Sequence, residues 1–209
     1  MPPSHPLFTS AWTPIDRVTY TGAALRDDPT LEHPEATALF LAARLLTREE
    51  GKTIRDSLGE VIKSVRILEY MAGEGTRLGG DTLPSDLPKN FVYTMKQPMG
   101  VVGAITPWNF PIAIPAWKIM PALVSGNTVV FKPSSSTSLA ASKLVEILED
   151  AGLPQGVLNL VLGKGEEMGE YLATHPGIDG VSFTGSTAVG EKLAARLAGT
   201  RLAMPVRAW

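Results

Sequence analysis

Asn109 stands in the run Ala104-Ile-Thr-Pro-Trp-Asn-Phe-Pro111, directly after the apolar stretch Met99–Gly103. Asparagine is a poor strand residue, and the prolines on either side fix where its amide points. An amide held in this way can donate to a developing oxyanion. It can equally cap a helix that starts at Phe110 or Pro111. Lys118, isolated within Pro115–Leu123, either extends to solvent along its apolar stem or sits near a reactive centre. Lys132 ends the apolar run from Thr128. Its ammonium can reach a ribose hydroxyl or a phosphate, or simply solvent, while Pro133 and Ser134 shape the turn that follows. Gly163-Lys-Gly165, with Gly169 beyond it, allows close backbone approach to a ligand, although glycines after strands also serve as plain turn formers. In Phe183-Thr-Gly-Ser-Thr-Ala-Val-Gly190 a strand runs straight into a helix. Free N–H groups at such a helix start suit a pyrophosphate; Ser186 or Thr187 can also be an ordinary N-cap. His5, His33 and His175 lie far apart, and no His/Asp/Glu cluster has metal-ligand spacing.

These loops need a frame to hold them. Strand candidates begin at Val101, Val129, Val157 and Val181, and helix-like stretches cover Phe110–Val124, Leu139–Ala151, Glu166–Thr174 and Val189–Ala198. Strict alternation of strand and helix predicts a parallel α/β sheet with helices on both faces, a Rossmann-like core. The runs VVGAI, TVVF, VLNLVL and VSF are apolar throughout, as strands buried on both sides must be. In such sheets ligands bind beyond the carboxyl ends of the strands, where all four loops fall. Upstream, Ile54, Leu58, Val61, Ile62, Val65 and Leu68 recur at helical spacing and predict one buried stripe. Arg55, Asp56, Glu60, Lys63, Arg66 and Glu69 fall on the polar side. Residues 73–88 read as a loop and Phe91–Met95 as a β-prone segment. Residues 1–36, rich in proline, are expected to be irregular.

The 209 residues carry 19 basic and 21 acidic side chains, a net charge of −2, which offers no footprint for nucleic acid. There are no cysteines, which excludes disulfides and thiolate chemistry within the chain. The most apolar region, residues 110–126, is broken by Pro111, Pro115, Lys118 and Pro121, which argues against a membrane span. The N-terminus lacks a secretory pattern, so a cytoplasmic location is the expectation.

Four segments occur in order: Gly100-Val-Val-Gly-Ala-Ile-Thr-Pro-Trp-Asn-Phe-Pro111, Gly126-Asn-Thr-Val-Val-Phe-Lys-Pro-Ser134, Ala151-Gly-Leu-Pro-Gln-Gly-Val-Leu-Asn159 and Val181-Ser-Phe-Thr-Gly-Ser-Thr187. Together they resemble the cofactor-binding half of the NAD(P)-dependent aldehyde dehydrogenase superfamily, over about Leu39 to Ala203, most closely its semialdehyde dehydrogenases. The resemblance implies NAD or NADP as cofactor and a small aldehyde as substrate. It makes Asn109 an oxyanion-hole amide and Lys118 a neighbour of the proton-relay path. Ile105, Thr106, Pro107 and Trp108 become backbone flanking the cofactor, and Lys132, with Ser134 and Ser135, the binder of the adenosine ribose. Gly165 and Gly169 fall beside the adenine half. Phe183, Thr184, Gly185, Ser186 and Val189 fall at the pyrophosphate and adenine. Ser135 occupies the place of a glutamate found in many NAD-preferring members. Serine there removes repulsion of a 2′-phosphate, so use of NADP is expected. Phe91–Met95 corresponds to the family's oligomerisation strands and implies a homo-oligomer.

The departures define the rest of the expectation. Where family members run into Glu-Leu-Gly-Gly-Lys, this chain reads Met204-Pro-Val-Arg-Ala-Trp209, and it has no cysteine nucleophile. The organisation expected is a divergent segment over 1–36, a helical region with an oligomerisation-type strand over 37–98, a Rossmann-like core over 99–203 and a divergent tail over 204–209. That amounts to a truncated aldehyde dehydrogenase fold lacking the catalytic domain, with a sheet of four parallel strands. A fragment or a disrupted gene would explain both ends.

Overall fold

The apolar runs become strands of one parallel sheet. The computed structural model describes residues 34–198 and 206–208. The expected irregular stretch before Pro34 and residues 199–205 lie outside the described residues. Two helices come first, α1 (Pro34–Glu50) and α2 (Ile54–Glu74). A short antiparallel hairpin follows, β1 (Thr82–Leu83) with β2 (Val92–Tyr93), pairing Thr82 with Tyr93. Then strand and helix alternate: β3 (Val101–Ile105), α3 (Ala113–Val124), β4 (Thr128–Lys132), α4 (Ser138–Asp150) and β5 (Leu158–Leu160). A π-helical turn over Gly165–Gly169 leads into α5 (Glu170–Thr174), β6 (Gly180–Gly185), α6 (Thr187–Leu197) and β7 (Val206–Ala208).

The sheet order is β5-β4-β3-β6-β7, every pair parallel. The chain steps outward from β3 to β5, then crosses back to β6 on the other side of β3. That reversal leaves a crevice at the carboxyl ends of β3 and β6, where Ile105 pairs with Phe183. The expected count of four strands is one short. Val206–Ala208 pairs with Phe183–Gly185 as a fifth strand, even though Met204 and Pro205 interrupt the apolar pattern.

Helices lie on both faces of the sheet, so β3 and β4 divide their side chains between two cores. Val102, Ala104, Val129 and Phe131 join α1 to α4 in one apolar cluster. Ile105 and Val181 join α5 and α6 in the other, with Val101 and Val130 packed against it. Gly103 faces this second core, where an added Cβ would lie 3.3 Å from Leu172 Cγ.

On α2 the buried face is rotated from the expected one. The buried residues are Ser57, Glu60, Val61, Ile62, Ser64 and Ile67, whereas Ile54, Leu58 and Leu68 are only partly buried. Ser57, Glu60, Val61 and Ser64 follow i, i+3, i+4, i+7 spacing. The stripe is made of small and polar residues because α1 and α3 pack against it closely. Glu60, placed on the polar side by the sequence pattern, is therefore a buried carboxylate.

The amino end of the sheet closes on itself. Asn127 Oδ1 accepts from Met99 N (2.6 Å) and Gly100 N (3.0 Å), and Asp179 Oδ2 accepts from Val101 N (2.9 Å). Gly100 has φ +124, and a Cβ there would run into the Asp179 carboxylate. Gly100→Ala is expected to cost about 1–3 kcal/mol through backbone strain and displacement of that acceptor. A denaturant midpoint equal to that of the native sequence would contradict this.

Candidate functional site

The carboxyl end of the sheet is built differently from the amino end. Among the described residues, four buried side-chain oxygens have no hydrogen-bond partner: Glu50 Oε2, Thr106 Oγ1, Asn109 Oδ1 and Thr137 Oγ1. Thr106 follows β3 and Asn109 lies in the loop beyond it. Thr137 precedes α4, in the connection that leaves the carboxyl end of β4. Glu50 ends α1, where its carboxylate lies 2.9 Å from Lys52 Nζ without the alignment of a hydrogen bond. Burial raises the Glu50 carboxyl above its ordinary range, and the Lys52 ammonium opposes that shift. Buried polar atoms are almost always paired in native proteins, so orphans gathered at one end mark a surface shaped for something else.

Asn109 does not cap α3. That helix starts at Ala113, and its first N–H groups are taken by a carboxylate from a distant part of the chain. Glu60 Oε1 accepts from Ile112 N (2.8 Å) and Ala113 N (3.0 Å). Its other oxygen accepts from Lys52 Nζ at 2.6 Å, and the same ammonium donates to the Asn109 carbonyl at 2.8 Å. Lys52 also lies 4.5 Å from the Phe110 ring centroid. One buried ion pair thus ties both the backbone of Asn109 and the start of α3 to α2. The Asn109 side chain is left with a partnerless buried end, and a half-turn about χ2 presents Nδ2 in place of Oδ1.

Lys132 ends β4 with only 3% of its surface exposed. Its Nζ donates to the Pro133 carbonyl at 3.0 Å, and burial lowers its pKa. An ammonium has three donors, and no carboxylate pairs with this one among the described residues. Across from it lies Gly165, where an added Cβ would sit 3.9 Å from Nζ. The fold therefore brings Lys132 and Gly165 together. It ties Thr106 to the same place, since Thr106 N donates to the Lys132 carbonyl (3.2 Å). Ser134 accepts from Ser136 N (3.3 Å), which shapes the turn and leaves its hydroxyl proton to donate. Ser135 is exposed beside it.

Four helices of the core follow a strand at this end of the sheet, α5 by way of the π-helical turn. The α3 start is closed by Glu60. The α4 start is closed by Glu49, whose two oxygens accept from Leu139 N and Ala140 N, both at 2.7 Å. The start of α6 differs: its N-cap Ser186 makes no side-chain cap hydrogen bond. Ahead of it the Phe183 ring folds over Gly185, where an added Cβ would meet ring carbon Cζ at 2.7 Å. Thr184 is buried, while Ser186 and Val189 are exposed at the mouth. Lys118 donates to Ser182 Oγ on β6 at 2.9 Å. Gly169 closes the π-helical turn, with open space where a Cβ would be. Pro107 is half-buried and Trp108 is exposed on the loop between Thr106 and Asn109.

The arrangement is a crevice with a buried cation on one side, the start of α6 on the other and a buried amide oxygen without a partner between. It fits a ligand with hydroxyls and anionic groups along its length. Comparison with known proteins agrees. The model of the aldehyde dehydrogenase family matches residues 38–206. The chain belongs to that family. It is 51% identical over 151 residues to the 2,5-dioxopentanoate dehydrogenase of Saccharolobus solfataricus, covering 72% of this chain and 32% of the relative. It is 50% identical over 149 residues to the alpha-ketoglutaric semialdehyde dehydrogenase of Bacillus subtilis, covering 71% and 30%. Among solved aldehyde dehydrogenases, the betaine aldehyde dehydrogenase of Staphylococcus aureus in complex with NAD+ superposes with a TM-score of 0.79. It is 35% identical, with 83% of this chain and 34% of that one covered. The NADP-dependent glyceraldehyde-3-phosphate dehydrogenase of Bacillus halodurans complexed with NADP gives 0.76 at 38% identity, covering 82% and 37%. The chain spans about a third of the length of the relatives it matches.

Pattern reading missed Lys52, Glu60 and Glu49. A signal for Glu60 existed in the spacing, because Glu60 falls on one helical stripe with Ser57, Val61 and Ser64. Nothing local marks Lys52 or Glu49, whose partners lie 57 and 90 residues away.

Proposed function

We propose that this chain supplies the dinucleotide-binding half of an NAD(P)-dependent aldehyde dehydrogenase that oxidises a semialdehyde to the carboxylic acid. The observation that carries the reading is the buried Lys132 ammonium, without a carboxylate partner among the described residues, at the same sheet end as the start of α6. Lys132 then donates to the adenosine ribose, with Ser134 and Ser135 beside it and Gly165 giving the nucleoside room. The α6 start, with Gly185 and Ser186, receives the pyrophosphate, and Phe183, Thr184, Val189 and Gly169 border the adenosine half. Ile105 to Trp108 flank the nicotinamide half. Asn109 offers its amide to the aldehyde oxygen, and Lys118 stands near the path by which a proton leaves. When bound, the nicotinamide accepts a hydride from the substrate carbon. The family's thiolate has no counterpart among these 209 residues. A second reading is that the chain binds dinucleotide and associates with another copy. Exposed Leu83, Phe91, Tyr93 and Met95 on and around the β1–β2 hairpin supply an apolar surface for assembly with another copy.

Calorimetric titration of the purified chain with NADP+ and NAD+ tests the proposal, and no heat at millimolar cofactor would end it. Ser135→Glu is expected to weaken NADP+ by about tenfold through carboxylate–phosphate repulsion and to leave NAD+ unchanged or tighter. Equal losses for both cofactors would remove Ser135 from the ribose site.

A further inference from the structure

Lys52 lies between two carboxylates and the main chain of Asn109, and the cofactor reading does not use it. Gly51 closes α1 in the left-handed region, with φ +88 and its N–H donating to the Thr47 carbonyl (3.1 Å). That turn folds Lys52 back along the end of α1. Its Nζ lies 2.9 Å from Glu50 and 2.6 Å from Glu60, and it donates to the Asn109 carbonyl at 2.8 Å. We propose that Lys52 is a positioning residue, which aims the Asn109 side-chain amide into the crevice by holding the Asn109 main chain, with Glu50 and Glu60 fixing the ammonium. The inference rests on the reading of Asn109 as the amide that meets the aldehyde oxygen, and it adds what keeps that amide in place.

An amide that donates to a transient oxyanion cannot be steadied by strong hydrogen bonds of its own, because each would compete with the oxyanion. Asn109 fits this condition, since its Oδ1 is buried and has no partner. Its aim must then come from the backbone. Pro107 and Pro111 fix φ at their own positions and leave the plane of the Asn109–Phe110 peptide to be set by other contacts. Lys52 grips that plane by its carbonyl, and Glu60 grips the following residues by the amides of Ile112 and Ala113. The two grips are joined, because Lys52 and Glu60 are themselves paired. Three acceptors surround the ammonium, one for each of its donors, and the Phe110 ring covers it with the centroid 4.5 Å from Nζ. The Lys52 side chain, 12% exposed, is therefore held in one place. The charges that act on Glu50 are Lys52, Glu60 on α2 and Glu49 beside it on α1, whose own carboxylate is turned to the α4 start. Burial raises the Glu50 carboxyl, Lys52 opposes the shift, and Glu60 and Glu49 add to it. Glu50 thus takes up a proton at a higher pH than an exposed glutamate, and the ammonium then loses one counter-charge. The contact between Lys52 and the Asn109 carbonyl should follow that proton.

The test uses the full chain, with the side-chain NH2 and the carbonyl carbon of Asn109 followed by NMR. In the native chain the NH2 is expected to be as rigid as the sheet on the picosecond to nanosecond scale. The carbonyl carbon is expected to titrate in one step as Glu50 takes up its proton. Lys52→Met is expected to free the NH2, its order parameter falling below about 0.6, and Lys52→Arg to restore the rigidity. NADP+ affinity should stay within about threefold of native in both, because Lys132 and the α6 start belong to other loops. Glu50→Gln keeps Lys52 with its other two contacts and is expected to abolish the carbonyl titration, so the inference stays open to refutation even where Lys52→Met does not fold. An NH2 that stays rigid in Lys52→Met, or a carbonyl titration that survives Glu50→Gln, would each overturn it. Loss of NADP+ affinity in step with the rigidity would do the same, since that is the mark of general damage to the fold. Normal dinucleotide binding beside an unmoved Asn109 removes the inference alone, whereas absent dinucleotide binding by the native chain removes the reading beneath it.

Discussion

Glu60→Ala is expected to lower the stability of the chain by about 3–5 kcal/mol, the range for removing one partner of a buried ion pair. Three groups lose their acceptor together. Ile112 N and Ala113 N, at the start of α3, are left without a partner in a place solvent does not reach. Lys52 loses its 2.6 Å contact and keeps the Asn109 carbonyl and Glu50, whose own carboxyl already suffers from burial. Each hydrogen bond to a charged group is worth about 1.5–3 kcal/mol, so the losses reach the expected range even with partial relaxation. Glu60→Gln keeps an acceptor for the α3 amides and loses only the charge, so its cost should fall between that of Ala and the native sequence. Urea unfolding with a common m-value measures both. Amide exchange adds a local readout, because Ile112 and Ala113 should lose protection before the sheet does. A Glu60→Ala cost below about 1 kcal/mol would mean that the carboxylate is not the cap of α3.

The sheet was legible in the sequence because its central strands β3, β4 and β6 are buried or half-buried on both faces. Such strands must be apolar throughout, and VVGAI and TVVF announce themselves without help from their surroundings. The helices between them were legible from loop glycines and from period. β7 was not, because Pro205 and Arg207 break the apolar run and the pairing with β6 is decided by a partner distant in sequence. The same logic divides the site. Lys132 and Ser186 were visible because their position after a strand follows from topology alone. Glu60 was misplaced because a lone carboxylate in a charged helix reads as solvated; its burial depends on where α3 begins. Glu49 makes the same point, as a residue at the end of α1 that closes α4. These two carboxylates close the starts of α3 and α4, and no single segment of sequence carries that information.

Lys132→Met is expected to separate function from structure by moving two measurements in opposite directions. The native ammonium is buried, has a single carbonyl acceptor and has its pKa lowered by desolvation. Such a group weakens the folded state. A lysine whose folded pKa lies below its unfolded value costs stability at every pH below the folded value, and the cost fades as pH rises toward the unfolded pKa. Methionine fills nearly the same volume without charge, so the variant should be at least as stable as the native chain at neutral pH. The difference between the two should narrow on the alkaline side. Dinucleotide affinity should move the other way, falling by about ten- to a hundredfold as a charge-assisted hydrogen bond to the ribose is lost. A structural lysine would give the reverse pairing, lower stability with unchanged binding. The two results together therefore decide whether the unpaired cation at the end of β4 is held there for a ligand.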